Sequence, residues 1–131
     1  MSTAKAERAA KQIPHLSIRI DLDADGRIGP GKIELLEQIR TQGSISAAGR
    51  AMKMSYKRAW DLVEEITRIC GRAVVTRQTG GKDGGGAALT PLGESLIERY
   101  RRIEKAAIDA ARADLLGLRS DVAGPRRSKR R

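Results

Sequence analysis

Four consecutive residues, Ser55, Tyr56, Lys57 and Arg58, carry the side chains best suited to chemistry, and that chemistry is recognition of a polyanion. Arg58 suits bidentate readout of guanine, and Lys57 suits a phosphate or a guanine. Ser55 can cap a helix and also face a phosphate, because free N–H groups at a helix start favour anions. Tyr56 offers a hydroxyl to a phosphate or packing to a thymine methyl. Downstream, Arg77, Gln78, Thr79 and Lys82 flank a stretch with Gly80, Gly81, Gly84, Gly85 and Gly86, whose small residues allow close approach of a backbone. Ser46 joins this DNA-facing set. Taken alone, such residues read as an ordinary solvated face. The charge balance and the elements that carry them favour contact with double-stranded DNA.

Other chemistries are poorly supported. Asp21, Asp23, Asp25 and Gly26 imitate a calcium loop, but Lys32 stands where a bidentate Glu is required and a β-pattern precedes the run. Gly26, Gly31 and Lys32 imitate a phosphate-binding loop, yet Ile33 replaces the magnesium-holding Ser or Thr. No Ser-His-Asp set, Cys-His pair or carboxylate dyad stands out, so no enzyme, cofactor or metal site is expected. Cys70 lies on an apolar helix stripe and reads as a small core residue, and His15 has no partner pattern. Trp60, one turn after Tyr56, reads as a prop between helix and hairpin. Asp61 is placed to orient Arg58 or Lys57 through a local pair.

The elements that position these residues follow from composition and periodicity. In 131 residues, 26 Lys and Arg face 16 Asp and Glu, giving +10 and implying a polyanionic partner. Aromatic residues are limited to Tyr56, Trp60 and Tyr100, too few for a base-stacking platform. No apolar run approaches the roughly 20 residues of a membrane span, which predicts a cytoplasmic, nucleoid-associated protein. Residues 1–14 read as a flexible arm. Leu16, Ile18, Ile20 and Leu22 alternate with Ser17, Arg19 and Asp21 as a half-buried strand, and Asp25-Gly26 turns the chain. Pro30 or Gly31 opens a helix with an Ile33, Leu35, Leu36 and Ile39 stripe, closed by Gly43.

Ser44 or Ser46 caps a short helix through Met52, and Ser55 caps a longer one to about Cys70. Ala73 to Thr79 and Ala87 to Leu89 read as two strands of a hairpin. Thr90 caps a last helix with Pro91 at its first position and Glu94 near a capping-box site. This helix, assigned 91–118, repeats Leu96, Tyr100, Ile103, Ala107 and Ala110 at four-three spacing, the pattern of a dimerisation seam. Residues 119–131 read as a disordered basic tail.

The order predicts a mainly α fold with a small β-hairpin wing: a winged helix-turn-helix over 15–90 plus a long C-terminal dimerisation helix. At this point a family resemblance is plain. Gly43-Ser-Ile-Ser-Ala-Ala with Met54-Ser-Tyr-Lys-Arg-Ala-Trp-Asp61 resembles the helix-turn-helix of the ModE family of molybdate-responsive transcription regulators. Thr79-Gly-Gly-Lys-Asp-Gly-Gly-Gly and Leu89-Thr-Pro-Leu-Gly93 resemble that family's wing and the start of its dimer helix. Both are more distantly similar to LysR-type DNA-binding domains. The resemblance covers about residues 16–115 and implies a homodimer on a palindromic operator. Molybdate-sensing members carry a further oxyanion-binding region, whereas here a basic tail follows. The expectation is therefore a bacterial regulator without its own ligand domain, with a separate effector-sensing partner as one option. Alternatives are a non-specific architectural nucleic-acid-binding protein and a helix-mediated module that modulates a full-length regulator.

Overall fold

The computed structural model describes residues 13–23, 26–78 and 85–126. Most of the expected arm, Thr79, Lys82 and the final residues 127–131 therefore lie outside the described residues. Strands β1 (Ile20–Asp23) and β2 (Gly26–Ile28) pair antiparallel, with Ile20 opposite Ile28 and Asp21 opposite Arg27. The sequence reading began one strand at Leu16 and placed Gly26 in a turn. Instead the strand starts later and Gly26 opens a second one, whose three residues are too few for periodicity to reveal. Leu16, Ile18 and Ile20 are half-buried as the alternation requires, but Leu22 is 50% exposed.

Helix α1 (Pro30–Gln42) begins at proline, whose fixed φ suits a first helical turn. Its stripe of Ile33, Leu35, Leu36 and Ile39 is fully buried, each side chain stabilising the fold by roughly 1.5–3 kcal/mol. Gly43 ends it at φ 81°, its N–H donating to the Ile39 carbonyl at 2.8 Å. Helix α2 (Ile45–Ala51) is capped by Ser44, whose Oγ accepts from the Ala47 N–H at 3.0 Å. Of the two serines considered as caps, Ser46 is the one released, and its Oγ accepts from Arg50 at 2.9 Å.

A tight turn through Lys53, at φ 59°, leads to helix α3 (Tyr56–Cys70), capped by Ser55. Between α2 and α3 the fit at Gly49 is tight, since a Cβ there would meet that of Ala59 at 3.2 Å. Ala59, Leu62, Val63 and Ile66 form the buried stripe of α3.

Strands β3 (Val75–Gln78) and β4 (Gly86–Leu89) pair antiparallel from Val75 opposite Leu89 to Gln78 opposite Gly86. The Ala87 N–H donates to the Gly43 carbonyl at 2.8 Å, tying this hairpin to the α1–α2 junction. Helix α4 (Pro91–Arg126) follows. Thr90 Oγ1 accepts from the Gly93 N–H at 3.1 Å and donates to the Ala73 carbonyl at 2.9 Å. No capping box forms with Glu94, because Gly93 occupies the third helical position and Glu94 pairs with Arg40 at 2.7 Å.

Helix α4 also runs past its expected end. Its 36 residues, about 54 Å at 1.5 Å per residue, pass through Gly117, where one glycine costs less than the turns on either side gain. The first residues assigned to a disordered tail, 119–126, are helical.

Two apolar clusters build the core of the unit Ser17–Arg102. One joins Leu35, Ile39, Ile45, Ala48, Ala59, Leu62, Val63 and Ala87; the other joins Ile28, Ile33, Leu36, Ile66, Val74, Ile97 and Tyr100. Helix α4 from Ile103 onward belongs to a second unit. Among the described residues no helix is long and apolar enough to cross a membrane.

Candidate nucleic-acid interface

The first turn of α3 presents Ser55, Tyr56, Lys57 and Arg58 together, all exposed, with Tyr56 at 48%. They face outward because the next residue, Ala59, and the apolar stripe beyond it are committed to the core. Ser55 Oγ accepts from the Arg58 N–H at 3.0 Å, so the cap fixes the backbone on which these side chains stand. No acidic residue lies in this turn. Lys57 Nζ pairs with Asp61 at 3.0 Å, four residues along the helix, so Asp61 engages Lys57 and not Arg58. Both side chains are more than half exposed, so the pair is worth under about 1 kcal/mol and yields readily to a stronger anion.

The hairpin brings a second set alongside. Arg77 and Gln78 are exposed at the end of β3. The Arg77 guanidinium stacks over the ring of Trp60, 4.8 Å from its centroid. Trp60 is half-buried against the core cluster that contains Ala87. It is therefore the prop between α3 and the hairpin that its position suggested. Ser46 is partly buried on α2 and hydrogen-bonded to Arg50.

Of the residues expected along a dimer seam, two are used inside their own unit. Tyr100 is 2% exposed and its hydroxyl donates to the Ile18 carbonyl at 2.7 Å; Leu96 packs against the same cluster. Ile103 is 47% exposed, Ala107 is half-buried and Ala110 is exposed. Further along α4, Leu118 and Val122 are 55% and 58% exposed, beyond the reach of the spacing first read. Cys70 packs partly buried at the end of α3, and burial pushes its thiol pKa up.

The sequence reading missed a group of cations next to α3. Arg19, Arg27 and Lys32 converge with Arg58 around one surface concavity. Their wide separation along the chain hides this grouping. The one visible sign was that Arg19 alternates with the apolar residues of its segment.

No protein-family profile matches the chain. Curated proteins do. The molybdenum-pterin-binding protein MopB of Rhodobacter capsulatus is 50% identical over 78 residues, covering 60% of this chain and 29% of MopB. The transcriptional regulator ModE of Yersinia pestis is 42% identical over 97 residues, covering 72% of this chain and 37% of ModE. The chain is a homologue of ModE and MopB over their N-terminal region. It spans about a third of the length of these relatives. Among solved structures, the fold matches the CbnR DNA-binding domain in a DNA complex, with a TM-score of 0.51 and 20% identity over 71% of this chain and 94% of that one. It also matches full-length LysG of Corynebacterium glutamicum, a LysR-type regulator, with a TM-score of 0.51 and 25% identity over 68% of this chain and 29% of LysG. These likenesses establish the fold as that of a winged helix DNA-binding domain.

Proposed function

We propose that this protein is a ModE-like transcription regulator that binds double-stranded DNA in a sequence-specific manner as a homodimer and catalyses no reaction. The observation that carries this reading is the exposed, acid-free first turn of α3, with Ser55, Tyr56, Lys57 and Arg58 side by side. In this reading α3 enters the major groove, Arg58 takes a guanine, and Tyr56 and Lys57 contact neighbouring bases or phosphates. Arg77 and Gln78 lie along the adjacent backbone, and Thr79 and Lys82 are assigned the same role from the sequence.

Pairing runs through α4. Leu96 and Tyr100 serve the core, so the contact falls to Ile103, Ala107, Ala110, Leu118 and Val122. At about 100° per residue these five lie within roughly a third of the helix circumference, an apolar face interrupted by Asp114 and Asp121. Such a dimer sets its recognition helices about 34 Å apart, or a multiple, and so requires a palindromic operator. A regulator of this kind acts at the bacterial nucleoid.

The test is titration of the chain onto a labelled random-sequence duplex, with light scattering of the free protein. Binding that weakens steeply with salt, by a species of twice the chain mass, is expected. No binding at low salt would contradict the reading.

A further inference from the structure

A basic cluster lies beside α3. Arg19, Arg27, Lys32 and Arg58 line an open concavity of about 340 Å³ that also takes in Met54 and Leu62. They come from the segment before β1, from β2, from the first turn of α1 and from the first turn of α3.

Two of these charges are matched locally. Arg27 Nε lies 2.9 Å from Asp21, and Lys32 Nζ lies 3.1 Å from Glu65. Lys32 Nζ also donates to the Arg27 carbonyl at 2.9 Å, which fixes the ammonium in place. Arg19 and Arg58 have no anionic partner among the described residues. Arg19 is nevertheless seated, because its aliphatic stem covers Gly29, where a Cβ would come within 3.0 Å of Arg19 Cγ. Gly31 and Lys32 line the same concavity, and α1 has neither a side-chain cap nor an acidic residue in its first turn.

Two unmatched guanidinium groups held at one concavity repel each other until an anion joins them. The walls supply guanidinium and ammonium donors, the set that suits a tetrahedral oxyanion.

We propose that this concavity is a phosphate-binding site, occupied by a DNA phosphodiester or by free inorganic phosphate. The DNA source rests on the reading given above; the site itself does not. Arg58 belongs to both the concavity and the first turn of α3, so a phosphate seated here flanks the base that α3 reads. Its guanidinium carries five N–H donors, of which a guanine takes two, leaving donors for the phosphate.

Arg19→Gln tests the site, because Arg19 is exposed and without an anionic partner among the described residues, and its loss leaves the core intact. Binding to a labelled random-sequence duplex is measured for both proteins across a salt series. The variant is expected to give a log K against log salt slope shallower by about 1.8, the loss of one phosphate contact from each protomer of the dimer. In parallel, inorganic phosphate is titrated into the wild type while the Gly31 and Lys32 amide resonances are followed by NMR. Saturable movement that Arg19→Gln abolishes is expected. A changed slope without a phosphate response assigns the site to DNA, and a phosphate response without a changed slope assigns it to the free anion. An unchanged slope together with immobile Gly31 and Lys32 amides overturns the proposal. If the wild type fails to bind the duplex, the DNA reading falls and the phosphate titration alone decides the site.

Discussion

The Arg77 guanidinium on β3 lies 4.8 Å from the centroid of the Trp60 ring on α3. This contact couples the hairpin to the helix whose first turn carries the candidate DNA-reading residues. Urea unfolding of Arg77→Ala, Trp60→Leu and the double variant is expected to give a coupling energy of about 0.5–1 kcal/mol, the range for an exposed cation–π pair. Additive losses would show that the two residues are merely neighbours.

Two glycines of α4 are expected to respond in opposite directions to alanine. A methyl group on Gly93 collides with the Val74 carbonyl, part of the backbone that receives the Thr90 N–H at 3.0 Å. Gly93→Ala is expected to cost about 1–3 kcal/mol through overpacking. At Gly117 the space is open and the backbone is helical, so alanine there is expected to stabilise by roughly 0.5–1 kcal/mol. Thermal unfolding of the two variants checks both signs. A gain at Gly93 would contradict the tight approach of α4 to Val74.

Acid should weaken one tertiary ion pair. Arg101 holds Glu37 in a two-pronged contact, Nε to Oε2 at 2.9 Å and Nη2 to Oε1 at 2.7 Å. The hydrogen bond from Arg101 lowers the Glu37 pKa, aided by the Arg101 and Arg40 charges and opposed by burial. The folded-state pKa is depressed, so the stabilisation is complete above the ordinary carboxylate value and is lost as pH falls through the lowered one. Both side chains are partly exposed, so the contribution is under about 1 kcal/mol. The stability difference between wild type and Glu37→Gln, followed by urea midpoint, is expected to shrink as pH falls through that range. A pH-independent difference would contradict this assignment.

Arg58→Ala is expected to relax preference at one base pair in each half-site of the operator, at a cost of about 1–3 kcal/mol at each. Competition binding with operators altered at single positions reads this directly. Equal weakening on every sequence would make Arg58 a phosphate contact only.

Much of this arrangement was legible in the residues because local chemistry and tertiary use agree. Ser55 was readable as a cap before an apolar stripe, and the stripe from Ala59 to Ile66 is the one buried. Trp60 was readable as a prop because it lies on α3 between the outward-facing turn and the core. Tyr100 was misleading because four-three spacing marks an apolar face without naming what covers it; here its own domain does. Helix α4 outlasts Gly117 because a glycine is a stop signal only where the chain adopts a non-helical conformation after it. The convergence of Arg19, Arg27 and Lys32 on Arg58 was hidden because it depends on how β2 and α1 meet α3. The hairpin of β1 and β2 escaped for lack of length.

The central claim is that the first turn of α3 reads a DNA sequence as part of a symmetric dimer. Selection of preferred sites from random duplex DNA at two salt concentrations tests it most directly. A palindrome with half-sites one helical turn or a multiple apart, enriched at both concentrations, is the expected result. Binding without enrichment that vanishes at the higher salt would contradict the claim and leave a charge-driven, architectural binder.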